Sequence, residues 1–123
     1  MTITHASFVT LPVADQDRAL RFYTEVLGMD VTADLDLPQG RWLQVAPAGA
    51  QTVFTLSGPG MGGFEPGEAR GIMLVTTDVD ADCARLTDAG VRVQGPDELP
   101  WGRMASFADP DGNGLMLLTE AHH

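Results

Sequence analysis

The chain has 123 residues, 44% of them hydrophobic and 20% charged, which suits one compact unit able to bury a core without disulfide or metal staples. Fourteen Gly and eight Pro divide it into short elements and exclude a coiled coil, and no apolar run approaches the roughly 18 residues of a membrane span. Seven basic residues, all Arg, stand against seventeen acidic ones for a net charge of −10. A field of that sign repels nucleic-acid phosphates and anionic membranes and favours a cationic partner.

Residues 1–5 lack the basic and apolar stretches of a signal peptide, and Cys83, the one cysteine, can close no internal disulfide. Both point to the cytoplasm. Phe8 to Val13 alternate as a strand, and Asp15 or Asp17 caps the helix that follows. Ala19, Leu20, Phe22, Tyr23, Val26 and Leu27 form its apolar stripe, with Gly28 at the C-cap. Strands are predicted at 29–34, 41–46 and 51–57. Residues 58–69, rich in Gly and Pro, read as a linker. A second strand–helix pair follows at 71–76 and 80–89, its helix carrying Ala81, Ala84, Arg85 and Leu86, and three more strands are predicted at 91–94, 103–108 and 114–119.

The second half repeats the first. Asp15-x-Asp17 recurs as Asp78-x-Asp80, Gly28 as Gly90, and Gly40-Arg41 as Gly102-Arg103, all about sixty residues apart. With the Pro/Gly turn that follows in each half, Pro47-Ala-Gly49 and Asp109-Pro-Asp-Gly-Asn113, four landmarks in order indicate a duplicated module. The expected architecture is α+β: one domain, 1–123, of tandem βαβββ modules (about 5–57 and 70–120), with curled mixed sheets around a cup and helices on the outer face.

Two further patterns are read as coincidences. Gly58-Pro-Gly60-Met-Gly-Gly63 fits a dinucleotide-binding fingerprint, but Phe64-Glu-Pro-Gly67 cannot open the helix that must follow. Asp109-x-Asp111-x-Asn113-Gly114 with Glu120 fits a calcium loop, yet Trp101 to Phe107 before it alternates like a strand and Leu115-Met-Leu-Leu-Thr119 reads as a buried strand, so it is expected to be a hairpin turn.

The tandem βαβββ pattern, with Phe22-Tyr23-x-x-x-Leu27-Gly28 ending the helix and Asp109-Pro-Asp-Gly-Asn113 closing the last hairpin, resembles the vicinal oxygen chelate superfamily. That superfamily includes glyoxalase I, extradiol dioxygenases, fosfomycin resistance enzymes and bleomycin-binding resistance proteins. The resemblance implies two modules facing one another around a ligand site, usually in a homodimer. It also implies one divalent metal, held by His and Glu on the first and last strand of each module. Matched through the motifs, those positions hold Phe8, Thr55, Gly71 and Met116. None is a ligand for a hard or borderline divalent ion, so no metal and no other cofactor is expected. His5 falls on the other face of its strand, and His122 and His123 read as solvated end residues.

Strand alternation then assigns the cup lining. Phe8, Thr10, Trp42, Gln44 and Thr55 come from the first module, and Met73, Met104, Ser106 and Met116 from the second, with Trp101 on the rim. The lining is apolar, aromatic and Met-rich, the profile of a small-molecule pocket, and no catalytic set lies in it. The expected function is metal-free sequestration of an apolar or aromatic, by net charge cationic, small molecule, resembling the bleomycin-type resistance proteins. The expected partners are that ligand and a second copy of the chain, not nucleic acid or membrane. The alternatives are a glyoxalase- or lyase-like enzyme of the same superfamily, and an interaction module whose cup is filled by its own side chains.

Overall fold

A computed structural model describes residues 1–59 and 65–121. The first half runs β1 (Phe8–Pro12), α1 (Gln16–Arg21), a π-helical turn (Phe22–Val26), β2 (Asp30–Leu37), β3 (Gly40–Ala46) and β4 (Val53–Ser57). The second runs β5 (Ile72–Val75), α2 (Val79–Asp88), β6 (Gln94–Leu99), β7 (Gly102–Ala108) and β8 (Gly114–Glu120). The strands form two unclosed mixed sheets, sheet A in the order β1-β4-β3-β2 and sheet B in the order β5-β8-β7-β6. Each pairs its first and last strands in parallel, Phe8 with Val53 and Ile72 with Leu115. Among the described residues no helix is long and apolar enough to cross a membrane.

One set of alternate residues on every inner strand is buried. Leu11, Leu43, Val45, Phe54 and Leu56 from sheet A join Ala105, Phe107, Leu115 and Leu117 from sheet B in one cluster. Ala19, Phe22 and Tyr23 at the first helix and Val79, Cys83 and Leu86 on α2 complete it. Each fully buried Leu or Val contributes about 1.5–3 kcal/mol relative to exposure. Because both sheets give this face to a shared core, their other faces look away from it.

The repeated landmarks have a structural cause. Asp15 and Asp78 are the helix N-caps, accepting from the amides of Arg18 and Ala81 at 3.1 Å. Arg41, at the start of β3, reaches Asp17 at 2.7 Å and Asp34 at 2.8 Å. Its counterpart Arg103 reaches Asp80 at 2.9 Å and Glu98 at 3.2 Å. Hydrogen bonding from Arg41 holds the Asp34 carboxyl below its ordinary range, and Arg103 does the same to Asp80. In each half the Arg therefore ties helix start, hairpin and edge strand together.

Four expectations need correction. The first helix is not uniformly α: its last turn is π, with the Leu27 amide donating to Phe22 O at 3.1 Å and that of Met29 to Tyr23 O at 2.9 Å. The wider turn buries the adjacent Phe22 and Tyr23 together. On α2 the core takes Val79, Cys83 and Leu86, at i, i+4 and i+7, while Ala81, Ala84 and Arg85 are exposed. The strand expected at 91–94 lies at 94–99, where an irregularity between Gln94 and Asp97 admits Gly95-Pro96 on an edge strand. β2 continues to Leu37, three residues past its expected end. Residues 60–64, inside the expected linker and the dinucleotide-like pattern, and His122 and His123 lie outside the described residues.

Candidate functional site

The face of each sheet turned from the core is partly apolar, with Phe8, Leu35, Met73 and Val75 exposed on it. On sheet A, Thr10, Thr55, Gln44 and Ala33 form one cross-strand row. Gln44 Nε2 donates to the buried Thr55 Oγ1 at 3.0 Å. Phe8, 44% exposed, meets Trp42 edge-on with ring centroids 5.5 Å apart, a favourable T-shaped contact. On sheet B the matching row is Met73, Met116, Ser106 and Gln94, and the next is Leu118, Met104 and Asp97. Trp101 lies in the β6–β7 turn, 56% exposed, its indole N–H directed at Met104 Sδ at 3.0 Å.

The ten expected lining residues thus form two groups that do not converge within one chain. Phe8, Thr10, Trp42, Gln44 and Thr55 share sheet A's outer face; Met73, Met104, Ser106 and Met116 share sheet B's, with Trp101 at its edge. The cavities at Gln94, Ser106 and Met116 take no residue from sheet A. Sequence reasoning missed Leu35 on sheet A and Gln94, Asp97 and Leu99 on sheet B. The alternation Val31-x-Ala33-x-Leu35-x-Leu37 was the signal for the first; the misplaced β6 hid the others.

The four positions that would hold the superfamily's metal do not suit one. Phe8 is engaged with Trp42, Thr55 is hydrogen-bonded by an amide, Gly71 has no side chain, and Met116 offers only a thioether. Cys83 is buried in the core, and burial followed by the nearby Asp80 and Asp82 pushes its thiol up, away from thiolate chemistry. His5 lies before β1 rather than on the other face of it, is exposed, and among the described residues bonds Thr4 at 2.9 Å.

The calcium-like segment is a hairpin joint between the halves. Asp109 Oδ1 accepts from the amides of Asp111 and Asn113 at 2.9 Å. Its Oδ2 accepts from Tyr23 Oη and Asn113 Nδ2, both at 2.8 Å. Asn113 Nδ2 also donates to Pro12 O at 2.9 Å. Asp111 Oδ1 accepts from the Ala14 amide and from Arg18, while its Oδ2 is buried with no hydrogen-bond partner among the described residues. Of the oxygens a calcium ion would need, both of Asp109 are turned onto backbone amides, Tyr23 and Asn113, and Asp111 Oδ1 onto Ala14 and Arg18.

With two helices, two open four-stranded mixed sheets and paired outer faces, the chain belongs to the Glyoxalase/Bleomycin resistance protein/Dioxygenase superfamily, whose sequence model matches residues 2–117. The crystal structure of TnmS3, an antibiotic binding protein from Streptomyces sp. CB03234, is similar at 50% identity and a TM-score of 0.90, covering 98% of this chain and 99% of that one. A superfamily member from Sphaerobacter thermophilus DSM 20745 is 38% identical with a TM-score of 0.88, covering 98% and 100%. YetH, an uncharacterized protein of Bacillus subtilis (strain 168), is 32% identical over 111 residues, covering 89% of this chain and 92% of its own length.

Proposed function

We propose that the protein is a metal-free binding protein that sequesters a flat, apolar small molecule of antibiotic type between the outer sheet face of one chain and that of a second copy. The observation that carries this reading is the apolar character of faces left open in a single chain: Phe8, Leu35, Met73, Val75 and Trp101 are all exposed. Such surface, rimmed by Gln44, Ser106 and Gln94, suits a ligand and a partner better than water. The resemblance to TnmS3 supports a small-molecule ligand, and the donor-poor set Phe8, Thr55, Gly71 and Met116 supports binding without a metal. The single cysteine, a free buried thiol, supports a reducing setting such as the cytoplasm.

The test is titration of protein purified without chelator and assayed for bound divalent metal. A neutral planar probe, anthracene-2-carboxamide, is expected to quench tryptophan fluorescence saturably, with or without EDTA. Trp42→Ala is expected to cost about 1–3 kcal/mol of binding, the range of an aromatic hot spot. A stoichiometric metal whose removal abolishes binding, or no binding by flat apolar probes, overturns the reading.

A further inference from the structure

The arginines divide into two groups. Arg18, Arg41, Arg85 and Arg103 each pair with a carboxylate. Arg21, Arg70 and Arg92 do not: among the described residues none of the three has an acidic partner, and Arg70 and Arg92 line one cavity of about 430 Å³. That cavity also takes Gly71, Gln94, Ser106 and Met116 from the outer face of sheet B.

Arg70 is held in place by backbone. Its Nη1 donates to the carbonyls of Gly67, Ala69 and Gly112, which orient the guanidinium without neutralising it. Its stem crosses Gly114, where a Cβ would lie 3.0 Å from Arg70 Cδ. Glu68 shares a neighbouring groove with Arg70, but its Oε2 accepts from the Glu65 amide. Asp97 lines the adjoining cavity rather than this one.

We propose that this cavity receives an anionic oxygen, a carboxylate or an ionised ring hydroxyl, carried on the flat body of the ligand. The inference rests on the small-molecule reading above. Guanidinium forks hold such oxygens through charge-assisted hydrogen bonds, and Gln94 and Ser106 add neutral donors. The net charge of −10 argues for a cation only at long range. Beyond about 8 Å it is screened at physiological ionic strength, so at contact distance the two guanidiniums decide the sign.

The experiment compares three probes of one shape, anthracene-2-carboxylate, its carboxamide, and the corresponding aminomethyl cation, against wild type, Arg92→Gln and Arg92→Lys. Arg92 is exposed, so the variants keep the fold, which circular dichroism verifies. The carboxylate is expected to bind about tenfold more tightly than the amide, with the cation weakest. Arg92→Gln should compress the carboxylate-to-amide ratio to within about twofold, and Arg92→Lys should restore part of it. Equal or tighter binding of the amide or the cation, or a ratio unmoved by Arg92→Gln, overturns this proposal and leaves the small-molecule reading standing. Failure of all three probes overturns both.

Discussion

At the scale of single residues, Tyr23 and Asp109 couple the two halves most directly. Burial first, and then the Asp109 carboxylate beside it, push the Tyr23 hydroxyl far above its ordinary range. Tyr23→Phe leaves Asp109 Oδ2 with Asn113 alone, and is expected to cost about 1–3 kcal/mol, read as a lower urea midpoint at unchanged slope. The raised value also sets a pH dependence. Tyr23 stays neutral in the folded state while the unfolded chain ionises above about pH 10. Its contribution is therefore complete below that pH and lost as pH rises beyond it. Wild type should lose more stability than Tyr23→Phe between pH 9 and 11; a parallel fall would sink the assignment. The pairing was not legible in the sequence. Asp109-Pro-Asp-Gly-Asn113 marks a turn, but nothing local says that a tyrosine 86 positions earlier ends inside it.

At the scale of elements, the hairpin glycines differ in what surrounds them. Gly28 ends the first helical segment at φ +72°, with open space where a Cβ would stand, whereas a Cβ on Gly102 (φ +149°) would lie 2.4 Å from Thr119 O. Gly28→Ala is expected to cost about 1–2 kcal/mol, the left-handed penalty alone. Gly102→Ala should cost roughly twice that or more, because β7 must move off β8; thermal or urea unfolding separates the two. Most elements were legible because their pattern was clean: β1, β3 and β7 alternate, β8 is a short apolar run after a turn, and Asp-x-Asp marks both helix starts. β6 was not, since Gly95-Pro96 reads as a turn and only its place at a sheet edge lets the strand run through it. The α2 stripe was misread by one step because its first buried residue, Val79, precedes the expected start at residue 80.

For the whole molecule, the arrangement of the halves governs what a site can be. Alternation assigned each lining residue to a face, but the parity of one strand carries no information on how two sheets face one another. The shared core settles it, turning Phe8 and Val75, 44% and 66% exposed, outward. If a second copy covers these faces, sedimentation at micromolar concentration should give about twice the 13.1 kDa chain mass. Val75→Asp should then shift the population to monomer, since a carboxylate buried between apolar faces is costly. A wild-type monomer at high concentration would remove the two-chain cup.

The joint at Asp109–Asn113 also gives the chain an order of completion. Synthesis delivers β1 and Tyr23 well before the hairpin, 86 positions later. Until Asp109 emerges, the Tyr23 hydroxyl and the Ala14 amide lack the acceptors that β7–β8 will supply. The first half on its own therefore carries polar groups it cannot bury, and the parallel pairing within each half adds further long-range closure. The Asp109–Asn113 hairpin acts as a latch on β1 and the first helix, so that end of the first half stays open to solvent, and to quality control, until β7–β8 is made.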